Sequence, residues 1–130
     1  MKKEPIEKFD YKTLAKSVAE WQEILQLNDW LIQVCLTDDV DDNSHGVCDM
    51  VYDNKTAVIK IQKTKEYSPF KRPDEIILVH ELLHCKFPIL YDEHDVDQVI
   101  RSKLQHQVLE EMAKALIMTK YKLKLDWFYN

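Results

Sequence analysis

The chain has 130 residues, 45% of them apolar and 32% charged, with a formal net charge of −5. That length and balance suit one globular domain, 1–130, built around one core. The negative charge argues against general nucleic-acid binding, which needs clustered Lys and Arg, and no apolar run approaches the roughly 18 residues of a membrane span.

The first ten residues, MKKEPIEKFD, start with a basic Lys pair but lead into no apolar run, so no secretion signal is expected. Residues 10–27 read as a first helix: Asp10 is a natural cap, and Leu14, Val18, Trp21 and Leu25 recur at helical spacing. The pattern then switches to period two. Trp30, Ile32, Val34 and Leu36 alternate with Leu31, Gln33 and Cys35, the signature of a half-buried strand. The polar loop TDDVDDNSHG follows, too irregular for a calcium loop, because Tyr52 stands where an EF-hand counted from Asp41 needs its glutamate. His45 stands alone in it. VCDMVYD and TAVIKIQK form two further short strands, paired as a hairpin through Asp53, Asn54 and Lys55.

Pro69 and Pro73 punctuate the next loop, and Pro73 fits the first turn of a helix over 73–86 that Pro88 stops. Asp74 and Glu75 sit at its positive end. Ile76, Ile77, Leu78, Val79, Leu82 and Leu83 leave it little polar face, so it is expected to be central and buried. A third helix begins near Asp95 and runs past residue 116, capped by Asp92 or Asp95, with His94 exposed near its start. The aromatic tail YKLKLDWFYN is expected to pack on the core. The fold class is therefore α+β: an N-terminal helix, a small three-stranded sheet, a buried helix and a C-terminal helix.

Gly46 is the single glycine, which removes phosphate-cradling loops and dinucleotide fingerprints from consideration. Cys35, Cys48 and Cys85 make an odd count without CxxC spacing, as expected of reduced thiols in a cytoplasm. Cys85 reads as a small core residue.

The buried helix carries the chemistry. In DEIILVHELLHCKF, His80 and His84 lie one helical turn apart on one face and can aim ring nitrogens at a common point. Glu81 sits about 100° further round, beside that point. This is how an HExxH helix holds a metal and keeps a carboxylate next to it; nitrogen and oxygen donors select Zn²⁺. Two imidazoles and a carboxylate in an apolar helix are costly unless paired or coordinated.

HExxH on a buried helix, after a helix and a small sheet, resembles the zincin metallopeptidases. The order LQLNDWLIQVCL, TAVIKIQK, EIILVHELLHCKF and HQVLEEMAKAL is similar, over residues from about 20 to 117, to small metallopeptidase-like proteins of phages and prophages. HELLH is the specific element; the other segments match in pattern more than identity. The resemblance implies a zinc peptidase acting on a protein or peptide in the cytoplasm, or in the host cytoplasm if phage-encoded. It also implies that TAVIKIQK is the sheet edge along which an extended peptide aligns.

A third protein ligand is needed if a fourth position is to stay open. The metzincin continuation is excluded, because Phe87 and Leu90 stand where it needs Gly and His. In the phage-type relatives, an acidic residue precedes a pattern that aligns with Val108, Ala113, Ala115 and Leu116, and this chain has His106 there. His106 is the favoured ligand, as in SprT-like zincins, and it shares a helix flank with Ala113 and Ile117. Glu110, one turn on, is either the alternative ligand or a partner that holds the His106 ring. Glu111 is expected to be solvated. Asp92, Glu93 and His94 are minor candidates.

In this reading His80, His84 and His106 bind Zn²⁺, and Glu81 is the general base that takes a proton from water and delivers it to the leaving amine. No transition-state stabiliser is assigned; Tyr91, Tyr121 and Tyr129 are open. The alternatives are a non-catalytic zinc-stabilised domain that binds a partner, and a regulatory factor acting by contact.

Overall fold

The computed structural model describes residues 3–40, 45–64, 71–88 and 98–129. Asp10 starts the first helix, α1 (Tyr11–Ile24), through reciprocal bonds: its Oδ1 accepts from the Thr13 amide at 2.8 Å while its own amide donates to Thr13 Oγ1 at 3.0 Å. The expected apolar stripe is the one buried, with Leu14, Trp21 and Leu25 inside and Val18 packed against the core. With one glycine available, left-handed turns fall to other residues: Gln26 follows α1, Lys55 sits in the hairpin and Lys122 follows the last helix, all at φ near 55–57°.

Three strands follow: β1 (Leu31–Thr37), β2 (Gly46–Val51) and β3 (Thr56–Gln62). β2 and β3 form the expected antiparallel hairpin, with Cys48 opposite Ile59. β1 runs parallel to β3, with Val34 opposite Ile59, so the order is β1-β3-β2. This corrects the expectation for TAVIKIQK: Thr56–Gln62 is the central strand, and the edges are β1 and β2. Its alternating Ala57, Ile59 and Ile61 are all buried on one face while Val58 on the other is exposed, the pattern of a sheet covered by a helix on one side.

The second helix, α2 (Asp74–Lys86), is central: Ile76, Ile77, Leu78, Val79, Leu82 and Leu83 are each at most 1% exposed. Each such side chain contributes about 1.5–3 kcal/mol relative to exposure. Pro73 is the extended residue just before the helix, at ψ 154°, and not its first helical residue. Asp74 and Glu75 do more than complement the helix dipole. They are buried and hold the N-terminal segment: Phe9 donates its amide to Asp74 Oδ2 at 2.9 Å, and Ile6 to Glu75 Oε1 at 2.9 Å. Glu75 also accepts from Trp21 Nε1 (2.8 Å), Lys120 Nζ (2.9 Å) and Tyr121 Oη (2.6 Å), which joins all three helices at one carboxylate.

The third helix, α3 (Gln98–Tyr121), packs Leu109, Ala113 and Ile117 against the core. The start expected near Asp95 lies outside the described residues. A 3-10 turn, Leu125–Tyr129, buries Phe128 to 1% exposure and packs Trp127 against the core, while Leu125 and Tyr129 stay exposed, so the aromatic tail packs in part. Among the described residues the architecture is α+β, three α-helices with a small mixed sheet. No helix among the described residues is long and apolar enough to cross a membrane.

Candidate metal centre

His80, His84 and His106 each bring a ring nitrogen to one point, the three atoms lying within 4.8 Å of one another. Two come from adjacent turns of α2, as helical spacing dictates, and the third from α3 where it packs on α2. The ring centroids are 5.2 Å apart for His80–His84, 5.7 Å for His80–His106 and 4.7 Å for His84–His106. Burial is graded across the trio: His80 is 7% exposed, His84 intermediate and His106 on the surface. The point they share therefore has a protein floor and an open side.

Glu110 is not in this group. Its Oε2 accepts from His80 Nδ1 at 2.7 Å, and both its oxygens accept from Arg72, Nε at 3.1 Å and Nη2 at 3.0 Å. The ring that Glu110 holds is thus that of His80, not His106. Burial alone would raise the Glu110 carboxyl, but the bonds from His80 and Arg72 and the guanidinium charge outweigh it and hold it at about 2. An ionised Glu110 accepts only, so Nδ1 of His80 carries the hydrogen and, in the neutral ring, the lone pair sits on Nε2. A carboxylate behind a ligating imidazole is the arrangement that fixes its orientation and raises its basicity.

Burial, then the neighbouring His80 and His106, push His84 down to about 4. Burial, then His80, also lowers His106. Both rings therefore stay neutral near pH 7, the form in which imidazole binds a metal. The donor set fits a divalent ion on these grounds: three convergent nitrogens, neutral rings, and a carboxylate already fixing the tautomer of one of them.

Glu81 lies beside this point, its Oε1 3.9 Å from His84 Nε2 and the residue 6% exposed. Desolvation pushes its carboxyl up to about 7, against the opposing charges of His80 and Arg72. A carboxyl poised near neutrality exchanges protons at physiological pH. Gly46, the first residue of β2, leans directly on it. A Cβ there would lie 2.8 Å from Ile77 Cγ2 and 3.1 Å from Glu81 Oε2. The single glycine thus marks close approach of the edge strand to the HExxH helix.

Two residues enter the site that no spacing rule singles out. Arg72 precedes α2 and clamps Glu110 in a planar fork. Its Nη1 also donates to His45 Nδ1 at 2.8 Å, so His45 does not stand alone in its loop. Both contacts join segments distant in sequence, and local periodicity carries no signal of them. Tyr121 is committed to Glu75, at the N-terminal end of α2. Tyr129 lines a cavity of about 250 Å³ with Lys71, Arg72, Glu110, Lys114 and Phe128. Cys85 faces Cys48 rather than the histidines. Glu111 is exposed and pairs with Lys114 at 3.8 Å. Tyr91, Asp92, Glu93, His94 and Asp95 lie outside the described residues.

Comparison with protein-family models, with curated proteins and with solved structures returns no match.

Proposed function

We propose that the chain is a zinc-dependent peptidase of zincin type, with His80, His84 and His106 as ligands and Glu81 as general base. One observation carries this: three imidazole nitrogens converge within 4.8 Å beside a buried glutamate on the same helix. A closed structural zinc site is usually built from four protein donors, often cysteines. Among the described residues three donors converge, with one on the surface, which favours a position left open to substrate.

Zinc, when bound, supplies Lewis acidity, bringing water toward ionisation near neutral pH and polarising a carbonyl. Everything else comes from the chain. Glu81, desolvated among Ile77, Gly46 and the histidines, takes the proton from water and returns it to the departing amine. Glu110 and Arg72 hold His80 in one tautomer throughout. An extended peptide is served best by the edge strand β2, because that strand begins against Glu81. The substrate is a protein or peptide, with no role for nucleic acid or membrane, and the setting is the cytoplasm, or a host's if the chain is phage-encoded.

Incubating the zinc-loaded protein with a peptide library, beside Glu81→Gln, tests the proposal. The wild type should cleave, and the variant should keep its zinc while losing about 10²–10⁴-fold in rate. Equal cleavage by both removes Glu81 from the mechanism. Zinc binding without any cleavage makes the site that of a non-catalytic metal-stabilised binding domain.

A further inference from the structure

Cys48 and Cys85 take no part in the histidine chemistry. Cys48 stands on the face of β2 that meets α2, the face shared by Gly46 two residues earlier. Cys85 is in the last turn of α2, 2% exposed. Both are free thiols, and their Sγ atoms lie 3.8 Å apart although the residues are 37 positions apart in sequence. The third thiol is differently placed. Cys35 is in register with Lys60 and Val47, whereas Cys48 is in register with Ile59, so Cys35 belongs to the opposite face of the sheet.

We infer that Cys48 and Cys85 are a site of reversible covalent modification: a disulfide that ties the edge strand β2 to the HExxH helix, formed by exchange with a small disulfide such as oxidised glutathione. Reaching a bond length of about 2.05 Å takes roughly 1.8 Å of approach from the 3.8 Å observed. The half-buried Cys48 is the more accessible of the two and reacts first, slowly, because its bond to Cys85 and its burial push its thiol up and leave little thiolate. Its thiolate attacks one sulfur of oxidised glutathione, forming a mixed disulfide and expelling one glutathione thiolate. Cys85 gives its proton to that thiolate, attacks Cys48 Sγ and expels the second glutathione. Two protein thiols lose two electrons in all, and one oxidised glutathione becomes two reduced molecules. The cross-link fixes β2, paired only with β3 among the described residues, at a second point beyond its Gly46–Glu81 contact. It forms one residue after His84.

The test uses the full chain without added metal, so its outcome is independent of the peptidase reading. The protein is incubated with oxidised glutathione, remaining thiols are alkylated, and peptides are mapped by mass. Cys48 should be joined to Cys85 with Cys35 alkylated, and dithiothreitol should reverse the link. The oxidised protein should unfold at least about 5 °C higher, since the bond closes a long loop in the unfolded chain. In Cys85→Ala, Cys48 should halt at the mixed glutathione disulfide. A wild type that stops at that mixed disulfide, stays unreacted, or pairs through Cys35 overturns the inference.

Discussion

Replacing Glu110 by Gln keeps the shape of the side chain and removes its charge, which isolates what the carboxylate does for His80. A carboxyl held at about 2 instead of 4.5 is stabilised in its ionised form by about 3 kcal/mol, shared between His80 Nδ1 and the Arg72 fork. Glutamine keeps one acceptor oxygen, but without the charge it no longer makes Nε2 of His80 more basic, and it offers the Arg72 fork one acceptor atom where the carboxylate offers two. Zinc affinity should therefore fall by about 10–100-fold, the usual cost of losing such a partner, while stoichiometry stays at one. Competition against a chromophoric chelator measures this directly. The variant should also lack a component of acid sensitivity. In the wild type, stability from Glu110 is fully present above pH 4.5 and is lost as the pH falls toward about 2. Zinc affinity within threefold of wild type would refute the reasoning. Complete loss of zinc, with His106→Ala still binding, would make Glu110 a ligand and His106 a bystander.

Three further outcomes follow from the same contacts. His84, lowered from 6.5 to about 4, resists protonation in the fold and takes away up to about 3 kcal/mol as the pH falls from 6.5 to 4, while Glu81, raised from 4.5 to about 7, returns a similar amount between 7 and 4.5; chemical denaturation of the metal-free protein should show the His84 slope as the difference between wild type and His84→Gln. Glu75→Gln should cost about 3 kcal/mol in urea unfolding, the low end for breaking a buried ion pair, because Lys120 keeps Glu20 as a second partner. Gly46→Ala should destabilise by about 1–3 kcal/mol through its contacts with Ile77 and Glu81, and Gly46→Ser no less; a neutral result would mean that β2 can lift from α2 without cost.

Much of this fold is written in local periodicity. The stripe Leu14, Val18, Trp21 and Leu25, the alternation of Ile32, Val34 and Leu36, and the apolar run around HELLH each announced their element within a few residues of its ends. The hairpin was legible because its strands are adjacent in sequence. The place of β1 was not: strand pattern gives which face is buried but not which neighbour pairs, and β1 reaches past β2 to run parallel with β3. That made Thr56–Gln62 a central strand where an edge was expected.

The site divides the same way. His80, Glu81 and His84 share one helix, so their relation was fixed by 3.6 residues per turn. The approach of His106 was reachable because one flank of α3 carries the apolar residues that dock it on α2. The partner of Glu110 was not, since intrahelical spacing pointed to His106 whereas packing delivers His80 across the interface. Arg72 and His45 carry no periodic signal at all. Asp74 and Glu75 read as dipole partners, yet the N-terminal segment folds back over them and makes them buried acceptors.

The most direct measurement is X-ray absorption at the zinc edge of the stoichiometrically loaded protein, repeated on His106→Ala. Three imidazole nitrogens and one oxygen donor are predicted for the wild type, with one imidazole lost in the variant. A sulfur donor, a spectrum unchanged by His106→Ala, or failure to load zinc at all would contradict the account.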